Sequence, residues 1–305
     1  MLILLLLLFG AGSAFRFTQN PVITPQSGKT IGANINGPSL IRVPPWINRP
    51  LGRYYLYFGH HAGTFIRLAY ADRLEGPWTV HEPGTLKLPD VKPCKDHIAS
   101  PDVHVDDQRR QIRMYFHCVT GEGRDIAQQS TLVAISGDGI HFTARPQSLG
   151  PAYFRVFQWK GDYYAVVRGG TFFRSRDGLT PFAQGPTLFR SGGVLLRHAA
   201  VDLQGDVLSV FYSRIGDMPE RILVSTIRLT RDWLQWRDTG PEVVLEPATD
   251  YEGANLPLQP SKPDEAPGRV RQLRDPAIFR EAGRTYLLYS VAGESGIGIA
   301  QLQGR

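Results

Sequence analysis

Aromatic and β-branched residues recur along the chain in short runs broken by turn residues, and almost no stretch repeats at helical spacing. One kind of run occurs at 53–58, 112–116, 162–167, 207–212 and 284–289. Tyr54, Tyr55, Leu56, Tyr57 and Phe58 typify it, an apolar stretch with no polar alternation. A further apolar run precedes each, at 39–43, 101–105, 152–157, 197–203 and 276–279. Turn pairs such as Lys160 and Gly161, Gln204 and Gly205, or Ala282 and Gly283 separate the two. A third run follows at 66–71, 131–136, 170–175, 221–227 and 296–302. After four of these a turn leads to an expected fourth strand ending in an aromatic: Trp78, Phe142, Phe182 and Trp236. Four-stranded units at this period predict an all-β, five-bladed β-propeller occupying 15–305 as one domain. The last unit has no fourth strand of its own. Residues 16–24 are predicted to supply it and close the ring, which removes the free sheet edges.

The composition fits this reading. With 42% hydrophobic and 20% charged residues in 305, the chain is neither disordered, collagenous nor a coiled coil. Its 32 Gly and 23 Pro are scattered, as many tight turns require. The net charge of +6 is spread among interleaved signs, so no nucleic-acid partner is expected. Arginine outnumbers lysine 28 to 6. Codon usage would produce that excess, and it would also supply forks for carboxylate or sulfate groups on an anionic glycan. At the N-terminus an apolar stretch at 2–9 is followed by small residues at 10–14, which resembles a secretory signal peptide cleaved after Ala14. It is too short to span a bilayer, so a secreted or periplasmic protein with no membrane insertion is expected. Cys94 and Cys118 lie 24 positions apart. They either form one disulfide in an exported protein or stay unpaired as small hydrophobes, and neither belongs to a zinc-binding CxxC pair.

Candidate chemistry follows from the geometry of a propeller, whose innermost strands surround a channel and begin at one funnel mouth. Blade one offers Asn34, Asn36 and Ser39; blade two, His97 and Asp102; blade three, Tyr153 and Arg155. Blade four offers His198, and blade five Arg274 and Asp275. These positions are polar where a purely structural core would be apolar. Carboxylates with Arg and His between them suit glycoside hydrolysis, in which one group protonates the leaving oxygen and the other activates water or attacks carbon. Residues 246–271 form a long insertion with Pro247, Pro257, Pro260, Pro263 and Pro267, the length of a functional loop or lid.

The blade pattern, the run Ser100, Pro101, Asp102 and the run Arg274, Asp275, Pro276 resemble the five-bladed propeller glycosidases. These include the family 43 arabinanases and xylosidases and the fructan-cleaving enzymes. The resemblance implies a propeller acting on oligo- or polysaccharide. In family 43 an Asp on blade one is the general base, an Asp on blade two orients, and a Glu on blade three is the acid. Asp102 matches the second of these, whereas Asn36 stands at the first and blade three has Tyr153, Phe154 and Arg155 in place of the third. Asp275 resembles the fructosidase Asp that stabilises the transition state. The missing acid has candidates in Glu252, within the insertion, and Glu294, after the second strand of blade five. Some related propellers use a His as acid, which makes His60, His61, His97 and His198 eligible. Trp46, Tyr153 and Phe154 are placed to stack on sugar faces, while His104, His117 and the turns at Asp138-Gly139 and Asp177-Gly178 read as structural. Some relatives carry a channel calcium, but no acidic calcium-loop pattern occurs here and no cofactor is expected. The reading is an exported, exo-acting glycoside hydrolase for plant or algal glycan fragments. The alternative is a non-catalytic carbohydrate-binding propeller.

Overall fold

The structure is a computed structural model that describes residues 14–189 and 195–303. Five antiparallel sheets follow one another around a ring. Their inner strands are Asn36–Arg42, Ile98–Asp106, Arg155–Trp159, Leu196–Gln204 and Arg274–Glu281. The second strands, Tyr54–Gly59, Gln111–Val119, Asp162–Val166, Val207–Arg214 and Arg284–Ser290, hold the aromatic runs. The third strands are Arg67–Ala71, Gln129–Ser136, Thr171–Ser175, Ile222–Arg228 and Ile297–Leu302.

The ring closes as the sequence pattern requires. Ala14–Arg16 pairs with the third strand of blade five, Ala14 opposite Leu302, and Val22 donates to the Ile297 carbonyl at 2.8 Å. The regular closing strand therefore begins two residues earlier than expected. Of the expected secretory segment 1–14, residues 1–13 lie outside the described residues, and Ala14 is the first residue of the closing strand.

The fourth strands differ from expectation. They are Thr79–His81, Thr143–Ala144, Ala183–Thr187 and Glu242–Leu245, so the aromatics Trp78, Phe142, Phe182 and Trp236 precede them and do not end them. The reason is packing, because these rings face into the wedges between blades.

Each sheet is buried on both faces, which explains the continuous apolar runs. Successive side chains of a strand point to opposite faces. Tyr55 and Tyr57 thus enter the core shared with blade two, and Tyr54, Leu56 and Phe58 enter the core shared with blade five. Equivalent cores fill the wedges between blades two and three, three and four, and four and five. Cys94 and Cys118 form a disulfide with a Cα separation of 5.6 Å, joining the segment before blade two to its second strand. No helix among the described residues is long and apolar enough to cross a membrane.

Candidate active site at the funnel mouth

The blades are antiparallel, so the start of an inner strand and the loop between second and third strands lie at the same mouth. Inner-strand heads and these loops therefore build one site.

A bulge shapes four of the five heads. Asn36 pairs with Gly59 and Ser39 with Tyr57, so two residues face one on the partner and one residue is extra. The same irregularity separates Ala99 from Asp102, Leu196 from Ala199, and Arg274 from Ala277. Gly37, Ser100 and Asp275 are consequently equivalent, and all three have positive φ (57°, 50° and 48°). A non-glycine residue held there costs on the order of 1–3 kcal/mol.

This register corrects the expected equivalence of Asp102 and Asp275. Asp102 stands instead at the position of Ser39, two residues further along. Both side chains do the same work. Ser39 accepts the Val103 N–H at 2.9 Å, and Asp102 accepts the Val156 N–H at 2.7 Å, each tying its blade to the next. Asp102 also holds His104 at 2.9 Å. Burial raises its pKa, but His104, Arg155 and the Val156 N–H more than offset that and hold it below the usual range.

Asp275 is buried at the mouth. It accepts from the Ser290 hydroxyl at 3.1 Å and pairs with Nδ1 of His198. Burial, with Arg155, Arg197 and Arg168 nearby, pushes the His198 pKa well down. Its Nδ1–H donates to the Asp275 carboxylate. Its Nε2 is buried without a partner. Tyr153 (φ 69°) stacks between His198 and His117, with ring centroids 4.3 and 4.2 Å apart. His97 meets His117 at 5.5 Å, so His117, read from sequence as structural, belongs to the funnel floor.

The strongest anchor is Arg274, which is 1% exposed. It donates to Glu294 at 2.9 Å, to Gln272 at 2.6 Å and to the Asp264 carbonyl at 3.2 Å, and it lies 3.2 Å from Glu220. Glu220, itself fully buried, also receives Arg197 at 2.8 Å. Glu294 takes two more donors, Asn34 at 2.6 Å and Asn36 at 3.2 Å, and His61 Nδ1 stands 3.7 Å from it. Glu265, on the insertion, completes the group: one oxygen of each Glu and one His61 nitrogen lie within 4.8 Å of one another. His60 lies beside them, its pKa lowered by burial and by Arg67, with Glu265 and Glu294 opposing.

Glu252 is placed elsewhere. It is fully buried, and its carboxylate accepts from Arg16 at 2.7 Å, Tyr289 at 2.8 Å and the Ala248 and Thr249 N–H groups. It caps a short turn and anchors the insertion to the closing strand. The segment of the insertion that reaches the funnel is 262–265: Arg197 bonds the Pro263 carbonyl at 2.8 Å and also the Lys262 carbonyl. Glu265, Glu220 and Arg168 were not singled out from sequence. Two of them, Glu220 and Arg168, sit in second-to-third-strand loops, the signal that would have found them.

His61, Glu265 and Glu294 are close enough to share a cation. Yet Glu294 already receives Arg274 on one oxygen and two amides on the other, so its donors and countercharge are in place. A channel calcium fits less well. Arg155 donates to the carbonyls of Ser100, Phe154 and Ala199 on three consecutive blades, so those oxygens are taken and a buried guanidinium faces any ion.

The fold and the polar funnel define a five-bladed propeller of the kind found in family 43 glycoside hydrolases. A β-xylosidase/α-arabinofuranosidase of that family, from a compost microbial metagenome and bound to xylotriose, superposes with a TM-score of 0.60 over 90% of this chain and 92% of its own, at 15% identity. An N-acetylgalactosamine deacetylase from F. plautii, bound to a blood group B trisaccharide, gives 0.62 over 96% and 95%, at 13% identity. A glycosyl hydrolase from Bacteroides ovatus gives 0.65 over 96% and 94%, at 11% identity. No family model matches the chain. The chain belongs to the same family as an uncharacterised protein of Acanthamoeba polyphaga mimivirus, 41% identical over 300 residues, covering 88% of this chain and 83% of the relative.

Proposed function

We propose that the protein is an exported glycoside hydrolase that removes sugars from the ends of plant or algal glycan fragments at this funnel. The observation that carries the reading is the carboxyl pair Glu294 and Glu265, whose oxygens approach within 4.8 Å at one mouth. Glu294 is fixed by Arg274, Asn34 and Asn36 and suits attack on the anomeric carbon. Glu265, exposed on the insertion, suits proton delivery to the leaving oxygen. Water then displaces Glu294 from the glycosyl intermediate while the Glu265 carboxylate takes a proton from that water, which restores its acid form. Carboxyl groups about 5–5.5 Å apart go with retention of configuration, and wider pairs with inversion. The insertion walls one side of the funnel, which supports action on a chain end. The Cys94–Cys118 disulfide supports an oxidising compartment.

The test is a hydrolysis screen of the purified chain on aryl glycosides and glycan fragments, followed by NMR of the first-formed anomer. Retention is expected, and Glu294→Gln is expected to lower turnover by at least ~10²-fold while sugar binding persists. Binding without turnover by the unmodified protein would favour the non-catalytic reading. Full activity in Glu294→Gln would remove the carboxyl pair from the chemistry.

A further inference from the structure

Several arginines line this mouth, and four of those nearest the axis are accounted for. Arg67 donates to the Asn34 and Gly59 carbonyls, and Arg155 to the Ser100, Phe154 and Ala199 carbonyls. Arg197 holds Glu220, and Arg274 holds Glu220 and Glu294. Arg168 differs. It follows the second strand of blade three, at the turn where Gly169 N–H is tied to the Leu196 carbonyl of blade four at 3.0 Å. It is half-buried, it lies near enough to Tyr153 to oppose the rise that burial gives that phenol's pKa, and no carboxylate pairs with it among the described residues.

A guanidinium that has lost part of its water without gaining a counter-charge is costly, and an arriving oxyanion repays the cost with charge-assisted, bidentate bonds. Two further features point to a ligand here. Buried nitrogens on His117, Arg155 and His198, the residues around Tyr153, have no partner. Arg168 follows the second strand of blade three and Glu294 the second strand of blade five, so the cation and the carboxyl pair open on the same mouth.

We propose that the funnel takes an acidic sugar, whose carboxylate or sulfate docks on the guanidinium of Arg168 while its glycosidic bond lies toward Glu294 and Glu265. The inference rests on the glycosidase reading for the sugar and on Arg168 for the anion. A uronate and a sulfated sugar present the same chemistry, an oxyanion on a pyranose ring, and the experiment separates them.

Dissociation constants would be measured by NMR titration of the full chain with methyl glucuronide, its methyl ester, methyl glucoside and methyl glucoside 6-sulfate. At least one acidic probe should bind at least ~10-fold more tightly than its neutral counterpart, a ratio typical of one charge-assisted contact. Arg168→Gln should abolish the preference, and Arg168→Lys should keep part of it, since the charge remains and the fork is lost. The melting temperature of each variant, unchanged, would show that folding is intact. Neutral and acidic probes binding equally, or a preference that survives Arg168→Gln, overturns the acidic-sugar inference and leaves the glycosidase reading in place. No binding of any glycoside, together with a negative hydrolysis screen, overturns both.

Discussion

Two residues of displacement decide what an Asp at the head of an inner strand can do. At the bulge, Asp275 turns its carboxylate to His198 and Ser290. Past the bulge, Asp102 turns its carboxylate to the neighbouring blade, as Ser39 does. Losing a buried acceptor costs about 1–3 kcal/mol. Asp102→Ala is therefore expected to lower the melting temperature by several degrees, and Asp102→Asn, which keeps an oxygen for the Val156 N–H, by much less. Turnover of the folded Asn variant should stay within a few-fold of the parent. A fall of 10²-fold or more, the scale of general acid–base work, would restore Asp102 to the chemistry that its sequence context suggests. The shared prolines Pro38, Pro101 and Pro276 mark the common register. Aligning on them, and not on the carboxylates, would have separated the two Asp roles from sequence alone.

At the scale of elements, the Asp-Gly turns are repeated fasteners. Tyr57 of blade one donates to the Gly139 carbonyl of blade two at 2.7 Å, and Tyr115 of blade two donates to the Gly178 carbonyl of blade three at 3.0 Å. Each Gly has positive φ, and a Cβ at Gly139 would meet the Tyr57 hydroxyl at 2.9 Å. The turns are held by Asp138 and Asp177. Burial raises both pKa values, but hydrogen bonds outweigh it, and both carboxyls are pulled down to about 2. An unfolded Asp titrates near 3.9. The folded values are depressed, so these groups contribute stability that is complete above about pH 4 and is lost as the pH falls toward about 2. Melting temperatures of the parent should decline across that window. Asp138→Asn and Asp177→Asn should start lower and decline less steeply, and identical slopes would show that the turns do not titrate with unfolding. These elements were legible because strand runs buried on both faces leave an unbroken apolar signature. The fourth strands were misplaced by a few residues because the aromatic that fills a wedge lies just outside the strand it precedes.

At the scale of the molecule, a ring of five sheets needs something to hold its axis. Here Arg155 links blades two, three and four through backbone carbonyls, and burial lowers its pKa while Asp102 opposes that shift. The site around the axis was less legible than the ring. Arg274, Glu294, Asn36 and His61 were named from sequence, and the structure brings them together, because strand heads and Glu294's loop can be placed by counting. Glu265 and Arg168 were not named. Glu265 depends on how a proline-rich insertion folds back, whereas Arg168 lies in a second-to-third-strand loop that the same counting reaches. The same axial geometry bears on calcium. Calcium needs six to eight oxygens, and the carbonyls that line the axis beside Arg155 are committed to its guanidinium. Adding millimolar calcium, or a chelator, should therefore leave the melting temperature unchanged within about a degree, whereas an ion bound only by the folded state would raise it through linkage. Arg155→Met should destabilise the ring by a few kcal/mol, since each orphaned carbonyl costs roughly 1–3 kcal/mol, and calcium should not restore it. A melting temperature that rises with calcium in the parent would place an ion in the channel beside Arg155 and refute the guanidinium as its replacement.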